Sequence, residues 1–198
     1  MSNKKTLCVY CSSSNLLDKK FYIFAQEFGE KLAKNNYNMV YGGTTVGMMG
    51  VIANNALKNG AEVTGVIPER IASFGLKHPN LANVIVTKDM RERKATMEKY
   101  ADAFVALPGG FGTFEEIFEI LVAKQLGYHN KPVIFFNFNG YYDKMFEMFK
   151  TVFKNNFAKE EVKMPKIPNK SISLVFSLIG SALIGTTLME KVILSKLS

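Results

Sequence analysis

The sequence predicts an α/β fold, a parallel sheet with helices on both faces, on three observations. Short apolar runs suited to strands alternate with longer segments of helical period. The loops that close three of those runs, after Cys11, Tyr41 and Leu107, are rich in Ser, Thr or Gly. No internal repeat or linker divides the 198 residues, a length at which one core still fills, so a single domain over 1–198 is expected.

The elements follow in order. Thr6–Cys11 reads as a first strand and Lys19–Asn35 as a first helix. Tyr37–Tyr41 is a second strand, and Gly47–Asn59 a helix that Gly60 stops. Strands at Glu62–Ile67 and Asn83–Val86 precede a helix over Met90–Tyr100. A strand at Ala103–Leu107, a helix at Thr113–Leu126, a strand at Pro132–Phe136 and a helix at Tyr141–Asn155 complete the rhythm. Such a βαβ succession gives a parallel sheet, with ligands beyond the carboxyl ends of its strands.

Composition narrows the function classes. The chain is 47% hydrophobic and 21% charged, as a globular protein is. A net charge of +8 arises from 25 basic against 17 acidic residues. The basic residues are dispersed and not interleaved with aromatics, so solubility is the favoured reading over nucleic-acid binding. An anionic small substrate also suits the charge. No apolar run follows a basic start, so no signal peptide is read and the cytoplasm is the expected compartment.

The two cysteines, Cys8 and Cys11, form a C-x-x-C, a spacing that a redox pair would share. They lie within a strand, where residues three apart point to opposite faces, so a structural role is preferred. The stretch Ser171 to Met189 holds no charge. It approaches the length of a membrane span, yet its Ser, Thr and Gly content fits a soluble strand-turn-helix equally well.

The chemistry concentrates after Leu107, where a strand runs into Pro108-Gly109-Gly110 and a helix begins near Thr113. Glycines there let the backbone approach a ligand, and the free N–H groups of a new helix favour an anion such as phosphate. The full dinucleotide fingerprint is absent, because Glu115 falls where its third glycine would stand. There is no triphosphate loop and no nucleophile elbow. His78 and His129 are far apart, and no zinc constellation is visible.

Glu116 admits two readings. Thr113-Phe114-Glu115-Glu116 matches a capping box, in which an N-cap Thr and the Glu three residues on satisfy each other's backbone donors. The same carboxylate at a helix mouth would also face a bound ligand. Met90-Arg91-Glu92-Arg93-Lys94 reads as a solvated basic helix start or as a site. If functional, Arg93 binds or neutralises negative charge, since a guanidinium does not give up its proton.

These residues resemble the LONELY GUY (LOG) family of cytokinin-activating phosphoribohydrolases, whose members are sometimes labelled lysine decarboxylases. Pro108 through Glu116 meets the family's P-G-G-x-G-T-x-x-E, and Met90 through Lys94 nearly meets its M-H-E-R-K. Val9-Tyr10-Cys11 with its following serines, Tyr41-Gly42-Gly43, Gly47-Met48-Met49-Gly50, Gly65-Val66-Ile67-Pro68 and Gly140-Tyr141-Tyr142 also fit. The likeness covers about residues 6–157.

The resemblance implies a Rossmann-like fold, a homodimer and hydrolysis of the N-glycosidic bond of a nucleoside 5′-monophosphate. The base carries an isoprenoid group on N6 of adenine, and no metal or cofactor is expected. By motif position Arg93 and Glu116 inherit catalysis. Lys94, Gly109, Gly110, Phe111, Gly112, Thr113, Phe114 and Glu115 inherit substrate or phosphate contacts, with Ser13 and Gly43 from the other two loops.

Four departures bear on substrate preference: Ser12 and Thr44 stand for glycines, Arg91 for a histidine, and Gly75 for a glutamate found in many members. Three other readings stay open: a nucleosidase for plain AMP or another nucleotide, a nucleotide-binding regulator without turnover, and a redox protein using Cys8 and Cys11.

Overall fold

Strand β1 (Thr6–Tyr10) sorts its side chains between two cores. Leu7 and Val9 join a cluster with Phe24, Phe28, Ile52 and Tyr41, whereas Cys8 and Tyr10 join one with Met97, Phe104, Ile117 and Phe135. Such alternation is the period of an extended chain, and burial of both faces accounts for the unbroken apolar run. In this computed structural model the described residues are 4–158, 166–167, 172, 176, 179–180 and 183.

Six further strands pair with β1 in one parallel sheet: β2 (Asn38–Tyr41), β3 (Val63–Pro68), β4 (Asn83–Thr87), β5 (Ala103–Ala106), β6 (Val133–Phe136) and β7 (Lys166–Ile167). Their order is β4-β3-β2-β1-β5-β6-β7. Cys8 pairs with Val40 of β2 on one side and Phe104 of β5 on the other. The chain therefore builds outward from β1 to β4, returns, and builds the other way from β5. That reversal opens a crevice at the carboxyl ends of β1 and β5.

Helices α1 (Lys19–Lys34) and α2 (Gly47–Lys58) cover the face bearing Leu7 and Val9. The opposite face carries α4 (Met90–Tyr100), α5 (Phe111–Gln125) and α6 (Asp143–Lys154). A four-residue α3 (Glu69–Ala72) follows β3, and it, β7 and a 3-10 turn at Phe138–Gly140 are absent from the sequence reading. They are too short for periodicity to register.

Capping sets the helix starts, and here one expectation is corrected. The Asp89 side chain caps α4 through the N–H groups of Arg91 and Glu92, and Glu92 reaches back to the N–H of Lys88. The sequence suggests the same reciprocal arrangement at Thr113 and Glu116, and it does not form. There α5 instead starts two residues earlier, from Gly110, with no side-chain cap. Thr113 is buried inside the first turn, and Glu116 bonds to Arg93.

Cys8 and Cys11 are free, buried and on opposite faces of the sheet, which rules them out as a pair. Burial pushes the Cys8 thiol up to about 12 and raises that of Cys11 as well. Most of 171–189 lies outside the described residues. Ile172, Phe176 and Ile179 are buried in the α1–α2 core, with the Phe176 ring 5.4 Å from Phe28 and 5.7 Å from Tyr37. Among the described residues no helix is long and apolar enough to cross a membrane.

Candidate active site

The crevice is a cavity of about 660 Å³ beyond the carboxyl ends of β5, β1, β2 and β3. The three loops singled out in the sequence all reach it: Cys11 to Ser14 after β1, Gly42, Thr44 and Val46 after β2, and Gly110 to Thr113 after β5. Strands lie about 4.8 Å apart, so three spacings across the sheet give the cavity an elongated shape. One end is the start of α5. The other, toward β3, is walled by Val46, Met49, Pro68, Ile71, Leu76 and Met90.

At the α5 end the backbone supplies donors. The helix has no side-chain cap and no acidic residue in its first turn. The N–H groups of that turn have no intrahelical partner, and the positive helix end is not neutralised. An anion is the natural complement. Gly109 makes this turn possible, since a Cβ there would lie 2.1 Å from Oγ1 of Thr113.

Arg93 and Glu116 meet on the cavity floor. Nη1 of Arg93 donates to Oε1 of Glu116 at 2.5 Å, and Nε donates to the Val66 carbonyl at 3.1 Å. Both side chains are about nine-tenths buried, and both line the cavity. The third edge of the guanidinium lies beneath Gly42, where a Cβ would come within 2.5 Å of Nη2. Burial raises the Glu116 pKa above the ordinary 4.5, while the Arg93 charge pulls the other way. The result is a fixed, poorly hydrated carboxylate, more basic than a surface glutamate.

The remaining candidates divide. Ser13, Gly110, Phe111, Gly112 and Thr113 line the cavity, and Phe111 stands 90% exposed at its mouth. Lys94 and Glu115 do not line it. Lys94 bonds to Glu115 and Glu119 on the outer side of α4 and α5. Successive helix residues point about 100° apart, so Arg93 turned inward leaves Lys94 turned outward. Phe114 packs on Phe118 and Tyr142 in the core. Gly43, at φ +74°, packs on Gly65 and Ile67 behind the cavity.

The four departures are placed as unequally. Ser12 and Thr44 line the cavity. The Thr44 hydroxyl is the one buried side-chain polar atom among the described residues without a hydrogen-bond partner. Gly75, at φ +72°, lies on the surface, where an added Cβ would meet nothing within 4 Å. Arg91 is exposed and lines a neighbouring hollow with Arg70 and Lys88.

The apolar wall escaped the sequence reading, because a cavity-lining Met or Ile has no sequence mark that separates it from a core one. His78 and His129 are both buried and hydrogen-bonded, to Asn54 and to the Ile120 carbonyl. Among the described residues no group of three His, Cys, Asp or Glu could hold a metal ion.

Comparison with known proteins places the chain in a family. A family described as "possible lysine decarboxylase" matches residues 49–172. A probable cytokinin riboside 5′-monophosphate phosphoribohydrolase of Oryza sativa subsp. japonica is 41% identical over 145 residues, which are 73% of this chain and 63% of that protein. A cytokinin riboside 5′-monophosphate phosphoribohydrolase of Arabidopsis thaliana is 40% identical over 144 residues, 73% of this chain and 68% of that one. The chain thus spans a little under two thirds of the rice relative's length.

Among solved structures, the molybdenum cofactor carrier protein of Chlamydomonas reinhardtii superposes with a TM-score of 0.68 at 18% identity, covering 92% of this chain and 99% of that one. The molybdenum cofactor binding protein of Rippkaea orientalis gives 0.64 at 21% identity, covering 90% and 99%. At such identities the likeness is one of fold alone. By the extent of the family match and the identity to the plant enzymes, the chain belongs to the lysine decarboxylase-like family that includes the LOG phosphoribohydrolases.

Proposed function

We propose that this cavity hydrolyses the N-glycosidic bond of a nucleoside 5′-monophosphate, taking N6-substituted adenosine monophosphate and releasing free base and ribose 5-phosphate. The observation that carries the reading is the buried Arg93–Glu116 pair, opening on the same cavity as the uncapped start of α5.

The chemistry asks for that combination. Breaking the bond from C1′ to the base nitrogen sends the electron pair to the base and leaves positive charge on the sugar. A carboxylate beside C1′ stabilises that charge and takes a proton from the attacking water, whose oxygen forms the new bond. Glu116 is that carboxylate. Arg93 fixes its orientation and offsets negative charge on the departing base, which takes up a proton as Glu116 gives its own back to solvent. The phosphate, held by the first turn of α5, lies away from the reacting bond, so its binding positions C1′ over Glu116.

The base then extends toward β3, where Met49, Ile71, Leu76 and Met90 offer an apolar wall that suits an isoprenoid substituent. A homodimer is part of this reading, and light scattering coupled to gel filtration tests it.

Base release from isopentenyladenosine monophosphate and from AMP tests the chemistry, with Glu116→Gln and Glu115→Gln beside the unaltered protein. Gln can still accept the Arg93 hydrogen bond while removing the charge. Release that only Glu116→Gln abolishes supports the reading, and the faster nucleotide names the substrate. Binding of both nucleotides without release would leave a nucleotide-binding protein.

A further inference from the structure

We propose that Tyr141 is a positioning residue for the 5′-phosphate, acting through the Gly109–Gly110 peptide. The inference rests on the nucleotide reading of the cavity and concerns how its anion end is held.

The carbonyls leading into α5 are all engaged. The Tyr142 hydroxyl donates to the Leu107 carbonyl at 2.7 Å, and the Ser12 N–H to that of Pro108 at 3.1 Å. The Tyr141 hydroxyl donates to the Gly109 carbonyl at 2.5 Å, and the Phe114 N–H to that of Gly110 at 3.1 Å. Across a trans peptide the C=O and the following N–H point in opposite directions. Holding the Gly109 oxygen against Tyr141 therefore aims the Gly110 N–H the other way, and Gly110 lines the cavity.

This peptide is the one in the segment that can turn over cheaply. Glycine stands on both sides of it, and no Cβ resists rotation. On the Gly110 side there is open space, since an added Cβ would meet nothing within 4 Å. Turned over, the peptide would present a carbonyl oxygen to a phosphate in place of a donor.

The two tyrosines are set differently for the task. Tyr142 is fully buried, its N–H held by Oδ1 of Asn137 at 2.7 Å and its ring against Phe135 and Phe114. It anchors the turn after β6. Tyr141 is 41% exposed and meets the Tyr142 ring edge-on at 5.0 Å. Its removal leaves that core intact.

The test is calorimetric binding of AMP and of adenosine to the full chain and to Tyr141→Phe, with thermal unfolding alongside. The expected result is AMP affinity about tenfold weaker in Tyr141→Phe, the scale of one lost charge-assisted hydrogen bond. Adenosine affinity should stay unchanged and the unfolding midpoint should hold within a few degrees. In turnover the same variant should raise KM for the monophosphate more than it lowers kcat.

Equal weakening for both ligands would assign Tyr141 a merely structural role and overturn the proposal. So would unchanged AMP affinity, or an unaltered protein that binds AMP no tighter than adenosine. The binding arm needs no turnover, so absence of base release would remove the hydrolase reading while still leaving Tyr141 judged by AMP against adenosine.

Discussion

Two sets of opposite charges join the same pair of helices, α4 and α5, and they differ in the side they face and in how much water reaches their carboxylates. Arg93 and Glu116 are about nine-tenths buried, face the cavity and have little water around them. Lys94 is itself only 15% exposed, but it turns away from the cavity to Glu115 and Glu119, whose carboxylates keep about half their surface in solvent. Water on the two carboxylates screens these pairs in part, so each contributes about 1 kcal/mol. In the buried pair, removing either partner strands the other charge in a poorly hydrated site. Adjacent residues of one motif thus face different ways: in the proposed reaction the inner pair carries the chemistry, while Lys94 ties α4 to α5 through Glu115 and Glu119.

The sharpest way to break the comparison is to neutralise one carboxylate of each set. Glu116→Gln should lower kcat for base release at least about a thousandfold, the scale of losing a group that acts in the transition state. Glu115→Gln should change it by less than about threefold. Circular dichroism should show both variants folded. Comparable losses in the two would mean that the inner pair has no special chemical standing.

Next in size is Arg93→Lys, which keeps the charge and loses the fork that reaches Glu116 and the Val66 carbonyl together. A loss of about a hundredfold in kcat/KM is expected. Retention of full activity would reduce Arg93 to a counter-charge that any cation can supply.

The pH profile separates the two sets without mutation. In the proposed mechanism the Glu116 carboxylate takes the proton from water, so activity should climb as that group loses its own proton. Burial places this titration above the ordinary 4.5, so the midpoint of the acid limb should lie above 4.5. A midpoint below that value would mean that Arg93 outweighs burial. Smallest of all in activity is Lys94→Ala, expected to leave kcat/KM within about twofold while costing about 1–2 kcal/mol in denaturant unfolding through its lost stem packing and ion pairs. A larger loss of activity would give Lys94 a role at the substrate.

Much of the frame was legible beforehand because its signals are local. Helix α4 has the bounds its sequence suggested, Met90 to Tyr100, since Asp89 and Glu92 cap it and Ala101 ends it. Strands β1, β2, β5 and β6 agree within a residue or two at their ends. The start of α5 was misplaced because Thr113 and Glu116 satisfy the capping pattern in sequence, while the donors they would serve are differently placed in space. Met49, Pro68, Met90 and Tyr141 sit in stretches that resemble the family, but nothing in the sequence says that the first three wall the cavity or that the Tyr141 hydroxyl reaches the Gly109 carbonyl.

By itself the sequence determined the βαβ rhythm, the glycine turn before α5, and the pair of motifs that carry Arg93 and Glu116. Those follow from periodicity and from the few residues that can occupy special backbone positions. Tertiary structure alone decided that Arg93 and Glu116, 23 residues apart, share one buried hydrogen bond while Lys94 and Glu115 meet outside. The reason is geometric: a helix turns about 100° per residue, and the packing of α4 against α5 on the sheet chooses which neighbour of each motif faces the cavity.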